Sequence, residues 1–70
     1  MNNLEVVKID QISPECKMVI FTNGNRLSKR LIWSDHPIYD KLSVGFVVKG
    51  EIVTYDGGEF VRTEETGKNE

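Results

Sequence analysis

Apolar positions in this chain come in short runs, each closed by residues that favour turns. Leu4 to Ile9 (LEVVKI) is apolar and β-branched and predicts a first strand. Ser13-Pro14-Glu15 predicts a turn, because Pro14 presets φ and the Ser13 hydroxyl can bond locally. Lys17 to Thr22 (KMVIFT) predicts a second strand. Asn23-Gly24 follows it and is the strongest hairpin signal in the chain, since a two-residue type I′ turn needs positive φ at both central positions. Arg26 to Trp33 (RLSKRLIW) predicts the third strand.

The pattern then changes. In Ser34-Asp35-His36-Pro37, Ser34 or Asp35 can cap a helix and Pro37 fits a first turn. Ile38 and Leu42 stand four apart, on one helical face, so Asp35 to Leu42 predicts a short helix or 3-10 turn. Val44 to Tyr55 (VGFVVKGEIVTY) predicts a long strand in which Gly45 and Gly50 mark bends or bulges. Asp56-Gly57-Gly58 turns the chain, and Glu59 to Thr63 (EFVRT) predicts the fifth strand. Residues 64–70 (EETGKNE) hold no apolar residue and read as an acidic, disordered tail behind a single domain, residues 1–63.

Five short strands with glycine bends predict an all-β fold that closes on itself, because closure removes aggregation-prone edges. The order of three strands, a short helix and two strands resembles that of the OB-fold over residues 4–63. The stretch VGFVVKGEIVTYDGGEFV is similar to a first hairpin of RNA-binding OB domains. Gly45, Val47, Val48, Gly50, Ile52, Gly58, Phe60 and Val61 supply that pattern. In those domains the hairpin stands at the other end of the chain and its turn is longer, so the likeness is one of barrel-hairpin chemistry. The resemblance implies a small five-stranded OB-like barrel, with an SH3-like barrel as the rival fold.

One parity question decides what the second and third strands present to solvent. A two-residue turn at Asn23-Gly24 sets Phe21 opposite Arg26 and Ile20 opposite Leu27. One face then collects Met18, Ile20, Leu27, Leu31 and Trp33, interrupted by Lys29; the other collects Val19, Phe21, Arg26, Ser28 and Arg30. The first set is the more apolar, so it is expected to form the core and to leave Phe21 exposed between arginines. A three-residue loop would put Val19 and Phe21 with Leu27 and Leu31, and bury Phe21. Asn-Gly favours the shorter loop. Since burying a Phe stabilises by roughly 1.5–3 kcal/mol, an exposed Phe21 in so small a domain would point to use.

Composition narrows the chemistry. At 70 residues the chain is one domain of marginal stability. Cys16 is the single cysteine and His36 the single histidine, which excludes an internal disulfide and a Cys/His zinc site, and fits a reducing, cytoplasmic compartment. No apolar run is long enough to span a membrane and the N-terminus does not read as a signal peptide, so no membrane partner is expected. The net charge is −2, unevenly spread. Residues 1–50 hold seven Lys/Arg and five Asp/Glu, and residues 51–70 hold two and six. The body is mildly basic and the end acidic.

Catalysis is not expected. Ser34, Asp35 and His36 are adjacent and diverge, whereas a relay needs spatial convergence. Cys16 has no evident partner base, no cofactor is implied, and Asn23-Gly24-Asn25 lacks the Gly-Lys-Ser/Thr ending of a phosphate loop. Two binding readings stand. The first is single-stranded DNA or RNA, held by Phe21, Arg26, Lys29 and Arg30, with Trp33 and Tyr39 nearby in sequence and Lys41 and Lys49 able to extend the patch, because such sites combine cations with stacking aromatic rings. The acidic balance argues against tight non-specific binding, and the tail lacks the apolar tip carried by tails of some single-strand binding proteins. The second is a protein partner or homo-oligomer, anchored by exposed Val19, Phe21, Tyr39 or Tyr55. In that second class a small acidic protein can also act as an inhibitory module, as phage and mobile-element proteins often do, or occupy a partner's basic groove as a nucleic-acid mimic.

Overall fold

The computed structural model describes residues 3–63; the acidic tail predicted for residues 64–70 lies outside them. Five strands, β1 (Asn3–Ser13), β2 (Cys16–Thr22), β3 (Leu27–Trp33), β4 (Val47–Tyr55) and β5 (Gly58–Thr63), form one sheet in the order β3-β2-β1-β4-β5. All hydrogen-bonded neighbours are antiparallel. The sheet curls until β3 meets β5, which gives a nearly closed all-β barrel compatible with an OB-like small barrel. The helix expected over 35–42 is a single 3-10 turn, η1 (Tyr39–Lys41), between β3 and β4. Ile38 caps it without a side-chain bond, so neither Ser34 nor Asp35 acts as the cap. Ile38 and Leu42 do share a face, and both are buried.

Two strands depart from their predicted limits by more than one residue, for local reasons. β1 runs on past Ile9 because it carries irregularities after Val6 and after Gln11, which let it bend and continue its pairing with β2. β4 starts only at Val47. Gly45 sits at φ +96 in the turn before it, where its N–H bonds the Val6 carbonyl at 2.8 Å and the Phe46 carbonyl accepts from the Val6 N–H at 2.9 Å. Gly50 lies inside β4 for a different reason. A Cβ there would collide with the Arg62 carbonyl oxygen and stand 3.0 Å from Leu4 Cδ1, so the backbones of β4 and β5 approach too closely for a side chain.

The core is small. Leu4 and Val6 of β1, Val19 and Phe21 of β2, Ile32 of β3, Ile38 and Leu42 around η1, and Val61 of β5 form one buried cluster. Ile9, Tyr39, Phe46, Val48 and Ile52 pack around it half-buried.

Phe21 is fully buried, at 0% exposure, and the expectation that it lies on the surface is corrected. The loop after β2 is neither two nor three residues long. Thr22 pairs with Leu27, so Asn23 to Arg26 form a four-residue loop. Gly24 is at φ +100, and Asn23 Oδ1 accepts from the Asn25 and Arg26 N–H groups at 2.9 and 2.8 Å. Thr22 Oγ1 accepts from the Gly24 N–H at 3.0 Å and donates to the Arg26 carbonyl at 2.8 Å. Four and two are both even, so the side chains group as the shorter turn predicts. What inverts is which group faces inward.

β1 explains the inversion. The register aligns Lys8 with Ile20 and Asp10 with Met18, and sets Glu5 opposite Thr22. Turning Ile20 and Met18 inward would carry three charged side chains of β1 into the barrel, at several kcal/mol each when unpaired. Turning Phe21 and Val19 inward brings Val6 and Ile9 with them. Leaving Leu27, Leu31 and Trp33 in water costs less than burying Glu5, Lys8 and Asp10.

Candidate functional site

The face that the charges of β1 exclude from the core is the most unusual surface of the molecule. On β3 it presents Leu27, Lys29, Leu31 and Trp33; on β2, Met18 and Ile20 lie half-buried beside them. Leu27 is 62%, Leu31 47% and Trp33 53% exposed. Three large apolar side chains on a seven-residue strand stand in water while the core behind them rests on a few residues. Lone exposed apolar residues need no explanation, whereas a contiguous set marks an interaction surface.

The surface continues across the seam between β3 and β5. No backbone ladder joins these strands; side chains close the gap. Arg26 pairs with Glu59, and its Nη2 lies 3.5 Å from Thr54 Oγ1. Arg30 Nη1 donates to Thr63 Oγ1 at 3.2 Å. The sequence separation is the same for Arg26–Glu59 and Arg30–Thr63, as expected of two strands that run in the same direction. Phe60 is half-exposed, and its ring centroid lies 6.4 Å from that of Tyr55, which is 72% exposed. An open depression lined by Ile20, Leu27, Ser28, Lys29 and Glu59 spans the seam. A second, lined by Val53, Thr54, Tyr55, Phe60 and Arg62, lies on the hairpin of β4 and β5. That hairpin holds the two-residue turn with both residues at positive φ, Asp56 at +52 and Gly57 at +81.

The residues singled out from the sequence are scattered by the fold. Phe21 is in the core opposite Ser28 and Val6 and offers no ring to a ligand. Arg26 and Arg30 are engaged in the seam, and Arg30 Nη2 also lies 3.2 Å from His36 Nε2. Tyr39 belongs to η1. Lys17 lies 4.2 Å over its ring and donates to its carbonyl at 3.2 Å, while Gln11 Nε2 donates to its hydroxyl at 3.0 Å. Lys41 is exposed on the same turn and belongs to neither β2 nor β3. Of Phe21, Arg26, Lys29, Arg30, Tyr39 and Lys41, Lys29 alone lies on the outer side of β2 and β3. Val19, named as a possible anchor for a protein, is fully buried; Tyr55, named with it, is exposed.

Leu31 and Phe60 were not among the residues expected to bind, and Trp33 entered only as an aromatic side chain nearby in sequence. The signal for Leu31 and Trp33 was present in Glu5, Lys8 and Asp10, whose charges fix which side of β2 and β3 is wet. His36 is a turn residue, as its place before Pro37 implies. Its carbonyl accepts from the Tyr39 N–H at 3.0 Å, and its Nδ1 accepts from the Ile38 N–H at 3.2 Å. Cys16 is buried. Among the described residues no three His, Cys, Asp or Glu side chains gather where they could hold a metal ion, and no helix is long and apolar enough to cross a membrane. No protein-family model matches this sequence, and neither a curated protein nor a solved structure matches it.

Proposed function

We propose that this chain is a non-enzymatic binding module that docks a protein surface on the outer side of β2 and β3. The observation that carries the reading is the row Leu27, Leu31 and Trp33, each about half or more exposed on one side of one strand. Interface cores are rich in aromatic residues and Met and poor in charge. This face has Trp33, Met18, Ile20 and two leucines, with Lys29 as the cation among them. Charge balance agrees: residues 3–63 hold eight Lys/Arg and eight Asp/Glu, so the barrel has no net attraction for phosphates.

A photoreactive side chain at position 31, with a control at exposed position 41, tests the reading in cells that make the protein. Protein adducts from position 31 and not from 41 are expected. Equal labelling from both positions, or none from 31, contradicts it.

Single-stranded nucleic acid remains a second reading, on different residues from those first expected. Trp33, Tyr55 and Phe60 are exposed, Lys29 lies between the ends of this surface, and the β2–β3 face is where OB barrels bind oligonucleotides. Titration of a labelled oligonucleotide at low salt tests it. Binding that quenches Trp33 and weakens as salt rises supports it, and no binding at low salt removes it.

A further inference from the structure

We propose that the occupant of this face is a second copy of the chain, held in a two-fold dimer. The inference rests on the docking reading above and names its partner. The register sets the outer side chains of the first three strands in rows across the sheet. Glu5, Thr22 and Leu27 form one row; Lys8, Ile20 and Lys29 the next; Asp10, Met18 and Leu31 the third; Ser13, Cys16 and Trp33 the fourth. A two-fold axis that lies in the plane of the interface, across the strands and between the second and third rows, exchanges those rows. Each strand then lies over its own copy, running the opposite way.

The side chains that meet are complementary. Lys8 and Asp10, 3.9 Å apart as an ion pair within one copy, stand over the second copy's Asp10 and Lys8. Ile20 meets Met18, the Lys29 stem lies on Leu31, and Leu27 meets Trp33. Every contact occurs twice, as an isologous interface requires. The other axis that superposes these faces, along the strands, sets Lys8 over Lys29 and leaves Asp10 on Leu31. The charge pattern therefore selects one arrangement, and it is the one that also pairs the apolar side chains. Two sheets stacked this way sit about 10 Å apart with strands within about 30° of each other.

Leu27, Leu31 and Trp33, each about half or more exposed, would form the apolar centre of the interface, for which each partner typically gives roughly 800 Å². Lys8, Lys29 and Thr22 would form the rest. A domain this short buries too little of its own surface to be very stable, and covering this face gives it a second apolar layer.

The test is sedimentation equilibrium of the whole chain across about 1 μM to 1 mM, with each variant's folding followed by circular dichroism. The native chain is expected to reach twice its mass. Asp10→Lys sets like charges over each other and is expected to weaken the dimer by about tenfold or more. Lys8→Asp combined with Asp10→Lys exchanges the charges without changing their sum and is expected to restore association. Leu31→Lys is expected to give a folded monomer. A native chain that stays monomeric to the highest concentration overturns the dimer, as does a dimer that Asp10→Lys and Leu31→Lys leave intact. If the native chain is monomeric but the photoreactive position 31 captures other proteins, the self-docking inference fails and the docking reading stands. If it is monomeric and position 31 captures none, both fail.

Discussion

Phe21 shows how one residue's environment is set by others. Its ring fills the barrel opposite Val6 and Ser28, and the alternation that buries it pushes Leu31 and Trp33 into water. Truncating a fully buried Phe typically costs about 3–5 kcal/mol, through lost transfer energy and a residual cavity. Phe21→Ala is therefore expected to unfold most of the population or shift its urea midpoint by a large fraction of the total, which a single denaturation curve would reveal. A shift within the error of the curve would mean that the ring lies outside the core. Neighbouring glycines give a finer contrast. Gly57 is at φ +81, whereas Gly58 is in the strand with room for a Cβ, its nearest neighbours being Phe60 ring atoms at 3.5 Å. Gly57→Ala is expected to lose about 1 kcal/mol from left-handed strain. Gly58→Ala should be neutral or slightly stabilising. Equal losses at both positions would contradict the hairpin assigned here.

At the scale of elements, the seam between β3 and β5 is where the barrel is held by side chains alone. The Arg26–Glu59 pair is about half-exposed on both sides, so its contribution is at most about 1 kcal/mol. Arg26→Ala is expected to leave global stability nearly unchanged and to speed amide exchange in β5 relative to β1 and β2, because opening of the seam is local. Uniform acceleration in all strands would instead show that the seam and core unfold together. All five strands and the 3-10 turn between β3 and β4 were legible in the sequence, since apolar runs, Pro14, the Asn-Gly and Asp-Gly pairs and the Ile38–Leu42 spacing are local signals. The grouping of side chains on β2 and β3 was legible too. Its direction was not, because two strands cannot fix which side is inside. That depends on β1, whose Glu5, Lys8 and Asp10 become neighbours of Thr22, Ile20 and Met18 only after a register with an irregularity past Val6 is formed. The seam was hidden for a similar reason: Arg26 and Glu59 are far apart in sequence, and the arginines of a basic strand read as free until their partners are placed.

Over the whole molecule, the balance is between a small core and a comparably prominent outer apolar face. A barrel that leaves Leu27, Leu31, Trp33, Tyr55 and Phe60 in water forgoes stability that a partner can supply, which is the physical content of the docking reading. Trp33 is the chain's single tryptophan and sits in that face, so its fluorescence reports on the claim directly. The decisive measurement is acrylamide quenching of Trp33 in the Leu31→Lys protein, in which docking of a second copy is blocked. The account predicts a cooperatively folded chain whose Trp33 is readily quenched and emits as a solvated indole. An unfolded Leu31→Lys chain, or a folded one whose Trp33 is shielded from the quencher, would place this face in the interior and contradict the account.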